Sequence, residues 1–263
     1  MECIPNFSTA DPTVVDGLAE AIGEDLVLDR TSDPDHARSV ITFGGEATAV
    51  RDAALRAVER AAELIDLRRH AGVHPRIGAT DVLPFVPLTG STMEECIAIA
   101  WSVGEEIQRR LGIPVFFYEA AARRKEHRNL ADVRRHPAHP DLPGSHPSAG
   151  AVVVGARKFL IAYNINLKTA DVRVAQAIAA KIRQRDGGLP GVKALGLMLK
   201  SRGCAQVSMN LLDHEAIGVD GVNRAVEAEA RALGVEVLDH ELIGLLPHQV
   251  EERIKMKVRA RHY

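Results

Sequence analysis

The second half of this chain carries an order of secondary-structure elements that few folds can satisfy. Short apolar runs alternate there with amphipathic stretches, and from residue 159 onwards the order is strand, helix, strand, strand, helix, strand. This order is typical of the ferredoxin-like split βαβ plan. The predicted strands are 159–167, 192–199, 205–212 and 235–238, and the predicted helices are 171–185 and 222–233.

The first half has a similar alternation of predicted strands and helices, in a larger version of the same split unit. The helix predicted at 92–111 begins after Ser91-Thr-Met-Glu94, which has the spacing of a capping box. The sequence therefore predicts an α/β (α+β) fold with two ferredoxin-like-type α/β subdomains, 1–167 and 168–263, each with a mixed sheet and helices packed on one face. The other elements predicted here are helices at 13–22 and 47–66 and strands at 3–7, 26–29, 40–43, 82–86, 115–118 and 151–154.

Composition excludes several classes of protein. A formal net charge of −2 argues against broad nucleic-acid binding, and no apolar run approaches the ~18–20 residues of a membrane span. The first residues lack the features of a signal peptide, and the cysteines at 3, 96 and 204 are scattered, which predicts reduced thiols in a cytoplasmic protein. Because aromatic residues make up only 4% of the chain, the core is expected to consist of Ala, Val, Leu and Ile.

The segment His70-Ala-Gly-Val-His74-Pro-Arg76-Ile-Gly78-Ala-Thr-Asp81 is the strongest candidate for chemistry. It lies between a predicted helix and a predicted strand, and loops on a rigid scaffold carry many functional residues. His74 is the preferred catalytic candidate because imidazole changes charge near neutral pH. The alternative is that the two histidines only cap carbonyl groups at the end of the helix.

Four histidines, at 127, 136, 139 and 146, lie in a segment rich in proline and glycine. They suggest a metal site, but the prolines at 137, 140, 143 and 147 preclude helical i,i+4 pairing of ligands. A surface loop or lid without metal is the favoured interpretation. The chain shows no GxGxxG, P-loop or GxSxG motif, which argues against a dinucleotide, a nucleoside triphosphate or a serine nucleophile.

Polar residues occupy several strand positions where apolar residues would pack at lower cost. They suggest the polar walls of a ligand site, although any single one of them could cap a turn. Arg157 and Lys158 follow a small-residue turn and suit an anionic ligand, the alternative being an edge strand with solvated charges. The connection Asp33-Pro-Asp-His-Ala-Arg-Ser39 is typical of a turn, and its His and Arg could also face a substrate. The polar strand segments are Asn6-Phe-Ser8, Asn164-Ile-Asn166 and Ser208-Met-Asn210-Leu-Leu-Asp213.

Six motifs, in order along nearly the whole chain, resemble the formiminotransferase family. Six collinear motifs are far more specific than any one of them. They are Glu2-Cys-Ile-Pro-Asn-Phe-Ser8, Asp33-Pro-Asp-His-Ala-Arg-Ser-Val40, the segment from Leu64 through His74 to Val82, the segment from Gly155 to Leu167, Ala205-Gln-Val-Ser-Met-Asn-Leu-Leu-Asp213 and Glu241-Leu-Ile-Gly-Leu-Leu-Pro247.

The resemblance implies a folate-binding transferase of one-carbon and histidine metabolism. It implies transfer of the formimino group of N-formimino-L-glutamate to tetrahydrofolate as co-substrate, without a metal, in a cytoplasmic homodimer. It also implies that two α/β subdomains hold the folate in the cleft between them. The family's catalytic histidine falls on His74. Its folate-contacting segment falls on Gly155, Ala156, Arg157, Lys158, Phe159, Leu160, Ile161, Ala162, Tyr163 and Asn164.

The chemistry of the residues agrees with this implication. Attack on an amidine-type carbon and expulsion of the glutamate nitrogen both require proton transfer, which one histidine can perform as base and then as acid. We expect His36, Arg38 and Arg76 to hold substrate carboxylates or orient His74, and Asp81 to orient the loop. Arg157 and Lys158 would face the anionic tail of the folate. The open alternatives are a formyl transferase on the same scaffold and a non-catalytic protein that binds folate or small anions.

Two positions depart from the family pattern. Ala37 stands where the family commonly has Asn, which removes one hydrogen-bonding side chain near the expected glutamate site. The sequence also ends soon after Pro247 in a basic segment, so the second subdomain is expected to be shortened and the fused cyclodeaminase of bifunctional relatives to be absent.

Overall fold

The computed structural model describes residues 1–69, 76–135, 137, 139–214 and 216–260, and the side chains of 258–260 are left aside. The backbone divides into two compact units, Met1–Lys158 with Leu246–Tyr263, and Phe159–Leu245. Each unit combines helices with its own sheet, which confirms the predicted α+β class with two subdomains. The family subdomain boundary at residue 167 stays a prediction.

The helices and strands follow one another closely along the chain. In chain order they are β1 (Glu2–Cys3), β2 (Asn6–Phe7), α1 (Pro12–Ile22), β3 (Val27–Asp33), β4 (Arg38–Gly44), α2 (Ala47–Leu64), β5 (Thr80–Val86), α3 (Met93–Leu111), β6 (Val115–Glu119), α4 (Leu130–Arg135), β7 (Val152–Ala156), β8 (Ile161–Leu167), α5 (Val172–Ile182), β9 (Val192–Leu199), β10 (Cys204–Leu211), α6 (Val219–Ala232), β11 (Val237–Ile243) and α7 (Pro247–Ala260).

The first unit is a split βαβ arrangement with an added parallel edge. β1 and β2 both pair antiparallel with β4 and β5, so they act as one strand that is interrupted near Pro5. Proline cannot donate to the strand ladder, which accounts for the interruption. β3 pairs with β4 on one side of this strand, and β7 and then β6 extend the sheet parallel to β5 on the other side.

The main core of the first unit lies between its sheet and α1, α2 and α3. Buried residues of α2 recur at helical spacing, and several of them are alanines, which let the helix approach its neighbours closely. The expectation of an aliphatic core is incomplete, because five of the six phenylalanines are fully buried. A chain with few aromatic residues places nearly all of its phenylalanines inside, since each buries a large apolar area. The five are Phe7, Phe43, Phe85, Phe116 and Phe117.

The start of α3 lies one residue later than predicted. Thr92, not Ser91, is the N-cap: its hydroxyl accepts from the Glu95 N–H, and the Glu95 carboxylate accepts from the Thr92 N–H. The capping box is therefore Thr92 to Glu95. Both Ser91 and Thr92 are good caps, and the Ser91 hydroxyl instead bonds Leu88 in the preceding turn.

The sheet of the first unit also has a smaller covered area on the face away from α1 to α3. Val133 of α4 packs there on Val82 of β5, Phe116 and Tyr118 of β6 and Val153 of β7. The prediction of helices on one face only is therefore wrong for this unit, because α4 covers part of the second face. The short helix α4 also brings Arg134 next to β5.

The second unit has the predicted ferredoxin-like plan. Its sheet has the order β11–β8–β10–β9, and α5 and α6 are the two crossover helices. Every neighbouring pair is antiparallel, so the mixed sheet predicted for this subdomain is wrong; a split βαβ unit with this strand order brings no two parallel strands side by side. In the part of the chain that the structure describes, no helix combines the length and the apolar character needed to cross a membrane.

Candidate functional site

A β-bulge at Asp81 directs a carboxylate away from the main core. β2 pairs Asn6 with Val82 and Phe7 with Thr80, so that Asp81 is an extra residue in β5. Bulges re-aim side chains and are common next to active sites. As a result Asp81 meets α4 on the same side as its neighbour Val82, while Leu83 and Phe85 point into the main core.

Asp81 is nearly inaccessible to solvent and is held by two kinds of donor. Its Oδ1 accepts from the backbone N–H of Ile77 at 2.7 Å, and its Oδ2 accepts from the guanidinium of Arg134. The side chains of Asp81 and Arg134 are 4% and 15% exposed, which makes this a buried ion pair. Asp81 therefore holds the backbone at Ile77, and the role that the sequence predicts for it, orienting the loop, stays a prediction.

Arg38 and Arg76 lie close to this pair and add positive charge. Burial lowers the pKa of Arg38 to about 10, and the charges acting on it come from Asp81, Arg134, Arg76 and Asp33. Burial also lowers the pKa of Arg76. Three guanidinium groups therefore come together at Asp81, and guanidinium groups bind anions such as carboxylates through paired hydrogen bonds. We call Arg38, Arg76 and Arg134 around Asp81 the arginine cluster.

The β3–β4 turn is tied to the arginine cluster through its backbone. Arg76 donates to the carbonyl oxygens of His36 at 2.7 Å and Ala37 at 2.9 Å. The His36 ring lies 3.2 Å from the carboxylate of Asp33. Ala37 adopts φ 45°, a left-handed conformation that Asn tolerates better than Ala, so the backbone at this position favours Asn.

The predicted catalytic residue His74 lies outside the described residues, as does His70. The residues that precede and follow this part of the chain form backbone hydrogen bonds with residues 148–151. Before them, the N–H of Leu67 donates to the carbonyl of Ser148; after them, the N–H of Ala79 donates to Ala149 and that of Ala151 to Ile77. Gly78 permits this contact, since a Cβ there would lie 1.7 Å from the carbonyl oxygen of Ala151.

The described histidines of the proline-rich segment have structural partners. His127 is buried, bonds Asp141 at 2.8 Å and meets Phe116 edge to face. His146 accepts from the N–H of Ala149 at 3.0 Å, and His139 is exposed. His136 lies outside the described residues. Among the residues described, no three His, Cys, Asp or Glu side chains come together as a group that could hold a metal ion.

Glu2 is a buried carboxyl whose importance the sequence pattern does not show. It is 0% exposed, and neither of its oxygens has a hydrogen-bond partner within the described residues. Burial raises the pKa of Glu2 to about 7 against the opposing charges of Arg157 and the N-terminal ammonium. Burial likewise raises the pKa of Tyr118 to about 12, again opposed by Arg157. A Glu at the first position of a two-residue strand gives no signal in sequence alone.

Glu2→Gln should stabilise the protein progressively as pH rises. The folded carboxyl keeps its proton to about pH 7, whereas the unfolded one ionises near 4.5, so wild-type stability falls across this window. The gain of the variant over wild type should therefore grow by about 3 kcal/mol between pH 4.5 and 8. Urea unfolding at several pH values measures it, on protein with an untagged N-terminus.

The matched control for this experiment is Glu20→Gln, the same change at an exposed position of α1. Its difference from wild type should stay constant over the same pH range. A pH-independent difference for Glu2→Gln as well would show that Glu2 is ionised in the folded protein.

The segment predicted to contact folate is divided between the two units. Gly155 and Ala156 end β7, and Gly155 lies opposite Tyr118, where a Cβ would come within 2.3 Å of the ring. Arg157 and Lys158 follow the strand, and Lys158 is exposed. In the second unit, Phe159 stacks on His214 with 5.9 Å between ring centroids, and Leu160 is half-buried.

The rest of the segment belongs to β8, whose side chains alternate between two faces. Ile161 and Tyr163 are buried, Ala162 is half-buried, and the Asn164 amide donates to Glu241 at 3.1 Å. Ile161 and Tyr163 therefore share one face of the sheet, and Ala162 and Asn164 share the other.

The polar strand residues of the sequence behave differently in the two units. In the second unit Asn164 pairs directly with Ser208 across β8 and β10, so two of the predicted sets share one face. In the first unit the Asn6 amide donates to the carbonyl of Ile4, and the Ser8 hydroxyl to that of Gly78. Asn6 thus satisfies a local backbone group, which is the turn-capping alternative, whereas Ser8 bonds a carbonyl group 70 residues along the chain.

Comparisons with known proteins place this architecture in a family. Residues 1–157 match the model "Formiminotransferase domain, N-terminal subdomain", and residues 162–257 match "Formiminotransferase domain". A glutamate formimidoyltransferase of Streptococcus pyogenes is 43% identical over 94% of this chain and 89% of that protein. One of Thermoplasma acidophilum is 40% identical over 95% of this chain and 88% of that protein.

A formimidoyltransferase-cyclodeaminase of Sus scrofa is 39% identical over 94% of this chain and 50% of that protein. The two α+β units and the two matched segments identify the chain as a transferase with two subdomains. The chain belongs to the formiminotransferase family.

Proposed function

We propose that this protein is a glutamate formimidoyltransferase, which moves the formimino group of N-formimino-L-glutamate to tetrahydrofolate and releases L-glutamate. The observation that carries the proposal is the arginine cluster around Asp81, one member of which, Arg76, follows His74 by two residues in the chain. Family membership supplies the reaction class, and the two relatives at 43% and 40% identity bear this name.

The arginine cluster suits a dicarboxylate donor. Guanidinium groups bind carboxylates through paired hydrogen bonds, and partial burial strengthens such bonds. Arg38 and Arg76 are proposed to hold the carboxylates of formiminoglutamate, with His36 supporting Arg76 through its carbonyl group. Arg134 joins these proposed substrate-binding residues because it contacts Asp81. Asp81 in turn accepts a hydrogen bond from the backbone of Ile77 and so fixes its position.

His74 is the proposed general acid and base. It precedes Arg76 by two residues, a span of at most about 7 Å along the backbone. Tetrahydrofolate supplies N5 as the nucleophile toward the formimino carbon. His74 accepts the N5 proton as the new C–N bond forms and returns it to the glutamate nitrogen as the old C–N bond breaks. Protons and bonds balance without a covalent enzyme intermediate.

The segment from Gly155 to Asn164 is proposed to contact the folate. Arg157 and Lys158 provide cations for its anionic tail, and the remaining residues shape the site around them. Gly155 is required for packing against Tyr118, so we expect the segment to act through Arg157, Lys158 and the half-buried residues that follow.

We also propose a cytoplasmic homodimer that divides into formiminotransferase subdomains at residue 167. The family resemblance supports the dimer. The three cysteines are all buried thiols, which agrees with a reducing compartment.

The purified chain should release glutamate from N-formimino-L-glutamate only when tetrahydrofolate is present. Mass spectrometry should detect 5-formiminotetrahydrofolate in equal amount. Turnover with N-formyl-L-glutamate but not with the formimino compound would instead identify a formyl transferase. Binding of both ligands without product would identify a binding protein and contradict the proposal.

A further inference from the structure

The sheet of the second unit presents a polar face on the side away from α5. A Cβ at Gly196 would meet the α5 backbone near Gln176, so Gly196 faces this helix. Gly196 pairs with Val207, and Val207 pairs with Ile165, which places those residues on the helix side. By alternation, Asn164, Asn166, Gln206 and Ser208 lie on the opposite face.

Amide and carboxyl groups on this face form one connected network. The Gln206 amide nitrogen donates to Asn166 Oδ1 at 3.0 Å and to Glu241 Oε2 at 3.4 Å. The Asn166 nitrogen donates to Asp239 at 2.6 Å, and the Asn164 nitrogen donates to Glu241 Oε2. We call Asn164, Asn166, Gln206, Asp239 and Glu241 the carboxamide network.

The direction of each amide in the network is fixed by its neighbours. The Gln206 nitrogen faces two oxygen acceptors, so a flipped amide would place oxygen against oxygen. The same holds for Asn166, whose oxygen receives the Gln206 bond and whose nitrogen gives one to Asp239. The amide nitrogens therefore donate to other members of the network, and some oxygen acceptors of the network receive no hydrogen bond from it.

Two of these acceptors belong to Gln206 and Glu241. Gln206 is 0% exposed, and its Oε1 has no hydrogen-bond partner within the described residues. The bonds that Glu241 accepts from the amides both go to Oε2, which leaves Oε1 for another donor. Buried acceptors are nearly always hydrogen-bonded in native proteins, so an unsatisfied one next to a carboxylate indicates a missing donor.

Glu241 also differs from the other carboxylate of the network in its charge balance. Asp239 forms an ion pair with Arg202. Glu241 is half-buried, and within the described part of the chain no Lys, Arg or His forms an ion pair with it. A ligand that brings N–H donors or positive charge would complete this site.

We infer that Glu241 and Gln206 recognise an amidine-type N–C–N edge, which presents neighbouring N–H donors to the Glu241 carboxylate and the Gln206 carbonyl. This inference rests on the proposed function, because both proposed substrates contain such an edge. One source is the formimino group of the donor, and the other is the 2-amino edge of the pterin ring. The shared chemistry is a pair of N–H groups that a carboxylate binds with charge assistance.

Glu241→Gln should weaken the binding of one of the two substrates by about tenfold or more, since a hydrogen bond to a charged group is lost. Isothermal titration of the variant with N-formimino-L-glutamate and, separately, with tetrahydrofolate measures the effect. Loss for the first ligand alone assigns the formimino group, and loss for the second alone assigns the pterin edge. Glu236→Gln is the matched control, because that exposed residue pairs with Lys168 outside the network.

Unchanged binding of both ligands would overturn the inference, and so would equal loss for both, which a merely structural role in the sheet produces. Wild-type protein that binds neither ligand would overturn the proposed function and the inference with it. If Glu241→Gln does not fold, Glu241→Asp supplies the same comparison, because it keeps the charge but withdraws the carboxylate by one methylene.

Discussion

Replacing His74 with alanine should lower kcat by about 10²–10⁴-fold while tetrahydrofolate affinity stays within about a few-fold of wild type. The imidazole is proposed to carry one proton from N5 to the departing glutamate nitrogen, so its loss affects only the chemical step. Folate affinity should persist because the proposed folate contacts lie at residues 155–164. Initial rates of glutamate release and a separate titration of tetrahydrofolate measure the two quantities.

His139→Ala is the matched control for this variant, because that histidine is exposed on the proline-rich segment. It should leave both kcat and folate affinity unchanged. A second test is pH: the wild-type rate should follow the titration of one group near neutrality, and the residual rate of His74→Ala should not. Full activity of His74→Ala would rule out the proposed proton transfer.

The fold of the second unit could be predicted from sequence because each element carries its own local signal. β8 and β9 were predicted as 159–167 and 192–199 and lie at Ile161–Leu167 and Val192–Leu199. Apolar alternation and amphipathic spacing predict the type of such an element and place its ends to within a few residues. The order of the strands then leaves few arrangements other than the ferredoxin-like one.

The candidate site was only partly predictable because its remaining members depend on long-range contacts. Arg134 lies in a six-residue helix, and only the bulge at Asp81 brings the two side chains together. A bulge is a mismatch between two strands, so a single strand's sequence does not show it. Glu2 was missed for a similar reason: it is buried by the pairing of β1 with β4 and β5.

The two acceptor atoms of the carboxamide network, Gln206 Oε1 and Glu241 Oε1, could not be predicted from sequence for the same reason. Asn164, Asn166 and Ser208 were recognised as polar residues on strands, but their common face follows from the register of β8 and β10. The direction of the Gln206 amide depends on Glu241, which comes from a third strand 35 residues away. The sequence can therefore identify such residues as candidates, whereas the pairing of the strands determines which donor or acceptor atoms face a ligand.

Asp81→Asn should destabilise the protein by about 3–5 kcal/mol, because it leaves the buried guanidinium of Arg134 without its counterion. The Asp81 carboxylate also acts on Arg38, where it opposes the effects of Arg134 and Arg76, so its loss increases the repulsion among the three arginines. An asparagine oxygen can still accept from the Ile77 N–H, which limits the damage to the charge. Urea unfolding at pH 7 measures the loss.

Asp132→Asn supplies the matched control, since Asp132 lies on the same helix and pairs with Arg135 in an exposed ion pair. Its effect should stay within about 0.5 kcal/mol. Arg134→Met in the Asp81→Asn background closes a double-mutant cycle. If the two side chains form the buried pair, the double variant should be more stable than the sum of single losses predicts, by about 1–3 kcal/mol. Additive losses would mean that Asp81 acts on the rest of the cluster and not through Arg134.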